Sequence, residues 1–149
     1  IFLNGLLHDM GKIFLVVYFP DEYGAVLRST QETQTPLFKQ EKKIMGLSHA
    51  AIAGLLMKQW RFPDNLIMPC QFHHGADDCP HDYQQAALIV ELADYLCHKA
   101  EIGTSGNPVI VRDELTRRQL RFSSNAQKEV VHLLGEQKAE LEDFLDSLY

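Results

Sequence analysis

Apolar positions recur at three- and four-residue spacing along nearly the whole chain, divided by short polar, proline or glycine breaks. Leu3, Leu6, Leu7, Met10 and Ile13 keep helical spacing, and Pro20 punctuates the chain after them. Asp21 to about Gln31 predicts a short helix with Tyr23, Val26 and Leu27 on its apolar side. Thr35-Pro36 opens another, running to Met45-Gly46, with Thr35 as cap, Pro36 at the first helical position and Lys42 and Lys43 in the last turn. Ser48 caps the segment Ala50 to Trp60, whose buried stripe is Ile52, Ala53, Leu56 and Met57. Pro63-Asp64 opens the stretch to His74, kinked at Pro69 and closed by Gly75 in the position past a helix end. Gly75 to Asp82 reads as a loop. Tyr83 to Lys99 is apolar nearly all round and therefore central.

Gly103 to Pro108 is the clearest break. Beyond it, Val109 to Phe122 mixes an extended-looking start with helical Glu114 to Leu120, and is read as helix. Ser124 to Leu148 predicts a long terminal helix with Gln127 placed for a capping box. Val130, Leu134, Leu141, Phe144 and Leu148 sit at heptad-like positions there. They suit packing on the domain itself, with an oligomer through this helix as the alternative. No repeat, GxGxxG or P-loop is present. The expected fold is all-α, with a helical core over 1–103 and a C-terminal helical extension over 104–149.

The 149 residues are 46% hydrophobic, enough for one domain with a real core. Fourteen Lys and Arg against twenty Asp and Glu give a net charge of −6. An acidic surface argues against nucleic acid and membrane surfaces as partners. No apolar run approaches the roughly 20 residues that span a bilayer. Three cysteines without a CxxC fit a reduced, cytoplasmic protein better than a disulfide scaffold. The chain opens on Ile1-Phe2-Leu3 rather than Met, which reads as an internal stretch of a longer polypeptide.

Polar outliers among these apolar helices carry the chemistry. His8-Asp9 interrupts Leu6-Leu7 and Met10, His49 starts an apolar helix, His73-His74 closes another, and Asp94 sits inside Val90 to Leu96. A carboxylate in an apolar helix is expensive unless paired or bound to metal. Singly, each histidine reads more simply as a core residue bonded to a backbone carbonyl. Together they place three histidine sites and two carboxylates on four helices. Imidazole and carboxylate suit Mn, Fe, Ni, Mg or Zn with open coordination positions. A short carboxylate such as Asp9 can bridge two ions while its neighbour His8 binds one. Cys70 and Cys97, one turn from His73 and Asp94, read as core packing that lines the site at most.

The order of motifs Leu6-Leu7-His8-Asp9-Met10-Gly11-Lys12, Gly46-Leu47-Ser48-His49-Ala50-Ala51-Ile52-Ala53-Gly54, Trp60-Arg61-Phe62-Pro63, Phe72-His73-His74 and Leu92-Ala93-Asp94 resembles the HDOD domain. That is the bacterial HD-related output domain, a branch of the HD metal-dependent phosphohydrolase superfamily. The resemblance covers about Ile1 to Gly103 and implies an HD-like helical bundle. It implies metal ligation by His8, Asp9, His49, His73, His74 and Asp94, with one or two divalent ions. Asp9 would take part in catalysis, and Lys12 would face a substrate phosphate. The implied activity is hydrolysis of a phosphoester or nucleotide. The alternative is a non-catalytic module that works through other signalling domains or proteins. Two departures matter: the superfamily's upstream histidine ligand is not in this chain, and the loop after His74 lacks the Gly-Tyr-Pro of the cyclic-dinucleotide phosphodiesterases.

Overall fold

Helix boundaries fall largely where proline, glycine and Ser48 interrupt the apolar spacing. The computed structural model describes residues 1–103, 105–109, 119–120 and 123–146. In order these form α1 (Phe2–Leu7), α2 (Met10–Tyr18), α3 (Pro20–Thr33), α4 (Leu37–Met45), α5 (His49–Gln59), α6 (Asp64–Phe72), α7 (His81–Lys99) and α8 (Ser124–Asp146). One 3₁₀ turn, Ala76–Asp78, lies in the expected loop, and no strand occurs among the described residues. The protein is all-α. Helix α5 packs between α2 and α6, α6 lies on α7, and α8 lies against α7, while α3 joins α2 to α4. Most of the stretch read as helix between Val109 and Phe122 lies outside the described residues, as does the Leu148 end of the heptad pattern.

Two glycines let the central helices close. A Cβ on Gly11 would lie 2.0 Å from the His49 carbonyl oxygen, so α2 meets the start of α5 backbone to backbone. A Cβ on Gly54 would meet the Gln71 side chain at 2.5 Å, so α5 also seats tightly on α6. Around them Met57, Ile67 and Cys70 form one fully buried cluster, and Leu15, Tyr23, Val26 and Leu37 another.

Several local expectations are corrected. Leu3, Leu6 and Ile13 are exposed, at 48%, 69% and 68%. The inward stripe of α1 and α2 is instead Asn4, His8, Gly11 and Leu15, also at helical spacing but carrying the polar residues. Asn4 is buried for a reason that lies in α6. Pro69 has no N–H, which frees the carbonyl of Asn65 four residues back. Asn4 Nδ2 donates to that carbonyl at 3.2 Å and to Leu66 O at 3.1 Å. Thr35 does not cap α4. Pro36 holds the cap position, and the Leu37 N–H donates to Asn107 Oδ1 at 3.2 Å, across 70 residues of sequence. Gly75 has an extended φ of −174°, not the left-handed conformation expected past a helix end. At α8 it is Ser123 Oγ, one residue early, that accepts from the Ala126 N–H. Ser48 does cap α5, accepting from Ala51 N at 3.3 Å.

Candidate metal centre

The junction of α1 and α2, the start of α5, the end of α6 and the middle of α7 meet at one point. His8 and Asp9 occupy the two-residue break between α1 and α2, so their side chains leave the backbone together. His49 enters from the first residue of α5, whose N-terminus Gly11 allows to approach. His73 and His74 follow directly on α6, and Asp94 lies within α7.

Three imidazoles have their orientation set from behind. The Nδ1–H of His8 donates to Gly5 O at 2.7 Å, and that of His73 to Cys70 O at 2.7 Å. His49 Nδ1 donates to Glu41 Oε2 at 2.6 Å, and the His49 backbone N–H donates to the same oxygen at 2.8 Å. Each ring therefore turns Nε2 inward, and those atoms face Asp9. His49 Nε2 is 3.2 Å and His73 Nε2 3.9 Å from Asp9 Oδ1, while His8 Nε2 is 3.4 Å from Asp9 Oδ2. His74 Nε2 stands 3.1 Å from His49 Nε2, its ring stacked on Phe38 at 4.6 Å between centroids.

The buried Nε2 atoms of His8 and His73 have no hydrogen-bond partner. A buried polar nitrogen without a partner is costly in a stable core. These atoms belong to two groups whose ligand atoms lie within 4.8 Å of one another: His49, His73 and His74, and His8, Asp9 and His73. The two groups share His73, and Asp9 reaches both. Such all-imidazole and carboxylate donors fit a divalent cation of borderline or hard character. Cysteines take no part: Cys70 donates to Asn4 O from within the core, and burial pushes all three thiols up.

Charge alternates through the cluster. Burial opposes a charge on His8, but the nearby carboxylates of Asp9 and Asp94 outweigh it and raise the ring to about 10. His49 is likewise raised against its burial by Asp9 and Glu41. Asp9 and Asp94, despite burial, are held far below the usual carboxylate range, Asp9 by His49, His8 and Lys12, Asp94 by His8 and His98. Burial beside those charged rings pushes His73 down to about 3 and His74 well below its ordinary value. Positive charge is thus held on protons where carboxylates demand it, and a cation would replace those protons.

Asp94 stands at the edge, outside both groups. Its Oδ1 is 3.7 Å from His8 Nε2 and 3.1 Å from His98 Nδ1. Lys12 is no solvated surface lysine: its side chain is 17% exposed and Nζ donates to Asp9 Oδ2 at 2.7 Å. Two residues were missed by reading the sequence. Glu41 is fully buried behind His49 and also accepts from Tyr23 OH at 3.2 Å. His98 holds Asp94 and hydrogen-bonds Ser105 Oγ through Nε2. The i,i+4 spacing of Asp94 and His98 was the available signal for the second. Glu41 offered none, because it stands among lysines in a helix that looks solvated.

The HDOD domain family matches residues 1–76, so this chain belongs to the HDOD family. A crystal structure of an HDOD domain protein of unknown function from Geobacter sulfurreducens superposes with a TM-score of 0.72 at 25% identity. The match covers 98% of this chain and 52% of that one. An uncharacterized protein of Treponema pallidum (strain Nichols) is 24% identical over 93 residues, which is 62% of this chain and 18% of that protein. The chain thus spans about half the length of the one relative and a fifth of the other. Among the described residues no single helix is long and apolar enough to cross a membrane.

Proposed function

We propose that this HDOD domain holds one or two divalent metal ions through His8, Asp9, His49, His73, His74 and Asp94, and hydrolyses a phosphoester or nucleotide within a bacterial cytoplasmic signalling protein. One observation carries the reading: inward Nε2 atoms on three rings whose Nδ1 atoms are already committed, two of them left without a partner. Metal-bound histidines in general are oriented by this kind of hydrogen bond to the far nitrogen. When bound, divalent ions polarise a phosphoryl oxygen and activate water.

The chain's own groups do the rest. Glu41 fixes the ring of His49, and Phe38 fixes that of His74. Asp9 spans the two ligand groups. Lys12, half-buried beside Asp9, supplies a fixed positive charge for a phosphoryl oxygen. A second reading, a regulatory module that binds other signalling proteins without turnover, draws support from the pairing of Asp9 with Lys12 and Asp94 with His98, which closes part of the cluster on itself.

Elemental analysis for Mn, Fe, Ni, Mg and Zn on protein purified without chelator tests the proposal. Metal near one or two per chain, lost in folded His8→Ala and His73→Ala variants, is the expected result. A folded protein that takes up no added metal overturns it and leaves the regulatory module.

A further inference from the structure

A cleft of about 680 Å³ opens beside the cluster, and its composition speaks to what enters it. Asp9 and Lys12 are its charged members. From them one face of α2 continues through Ile13 to Val16, two turns or roughly 10 Å along the axis. Leu6, Leu7, Met10 and Leu27 also line the cleft, as do Ser105 and Gly106. Ile13 and Val16 are 68% and 53% exposed, so this wall meets solvent.

Nucleobase recognition commonly uses amide or guanidinium donors and an open aromatic face. None of the cleft residues is Asn, Gln or Arg. Its one aromatic, Tyr23, is 3% exposed and donates its hydroxyl to Glu41. Cation and carboxylate at one end with aliphatic surface running away from them match an amphiphile instead. We propose that the cleft binds phosphomonoesters of aliphatic alcohols, with the phosphate beside Lys12 at the cluster end and the alkyl chain along Ile13 and Val16. This rests on the metal-centre reading for its phosphate end only.

The test is calorimetric titration of the full chain with n-hexyl phosphate, inorganic phosphate and adenosine monophosphate, with and without manganese chloride. Each methylene buried is worth about fourfold in affinity. Hexyl phosphate should therefore bind at least tenfold more tightly than inorganic phosphate, and more tightly than the nucleotide. Ile13→Glu, at an exposed helical position, should remove that increment, with circular dichroism confirming the fold. Equal affinities, a tighter nucleotide, binding of no phosphate in either condition, or an unaffected Ile13→Glu variant would each overturn the proposal. If light scattering instead shows a dimer that Ile13→Glu breaks, with no hexyl phosphate bound, the face belongs to a second copy. Manganese binding in the same titrations reports separately on the metal centre: manganese without alkyl preference overturns this inference alone.

Discussion

Glu41 stands one residue behind any ion the cluster would hold, and it shows how much of the site depends on residues that never touch the chemistry. Its Oε2 takes both the ring and the backbone N–H of His49, so it sets which nitrogen of that ring faces Asp9. Glu41→Gln keeps the shape and an acceptor but removes the charge that makes His49 a stronger donor. Manganese affinity by calorimetry should fall about 10- to 100-fold with the helical signal unchanged. An unchanged affinity would mean the pair only holds α4 to α5. At this scale the sequence was informative where polarity clashed with its surroundings. His8, Asp9, His49 and Asp94 stand out because they interrupt apolar periodicity. Glu41 interrupts nothing, and only the tertiary fold turns it inward.

Elements carry a second set of dependencies, each local in sequence but settled by a distant partner. Asn4 is buried in α1 because Pro69 leaves a carbonyl of α6 without its helical donor. Asn4→Ala should cost about 1–3 kcal/mol in chemical denaturation, as for any buried acceptor left unpaired. In a Pro69→Ala background, where residue 69 regains its N–H, the same change should cost measurably less. Additive costs in that double-mutant cycle would show that the two residues act independently. Gly11→Ala tests the α2–α5 approach. Its Cβ meets backbone, which cannot rotate away, so a loss of about 1–3 kcal/mol is expected, together with loss of manganese binding. A stable Gly11→Ala variant with full affinity would refute that account. Helix order from Pro20 to Lys99 was legible because Pro20, Gly46, Pro63 and Gly103 punctuate the pattern, whereas the break between α1 and α2 at His8-Asp9 carries no proline or glycine to mark it. Caps were less legible: Asn107 serves α4 from 70 residues away, and no window around Thr35 contains it.

For the whole molecule, the proposed ligands come from the α1–α2 break, α5, the end of α6 and α7, so a bound ion would tie together parts that are far apart in sequence. An unfolded chain offers no such arrangement, and binding therefore adds to folding stability. Manganese at about 100 times its dissociation constant should add roughly 2.7 kcal/mol. A higher melting temperature with manganese, returned to the starting value by chelator, is the expected reading. No shift would argue that the cluster stands on its own hydrogen bonds. The all-α architecture followed from periodicity alone. The inward face of α1 and α2 did not, since its stripe of Asn4, His8 and Gly11 is less apolar than the face it turns outward.

The short segment after α7 gives this arrangement an unexpected weak point. Ser105 meets His98, which holds Asp94, while Asn107 holds the first turn of α4. A protease that nicked the chain between Gly103 and Ser105 would remove no ligand, yet its effect would surface at both places: a carboxylate freed to swing at the site, and a helix fraying where no bond was cut.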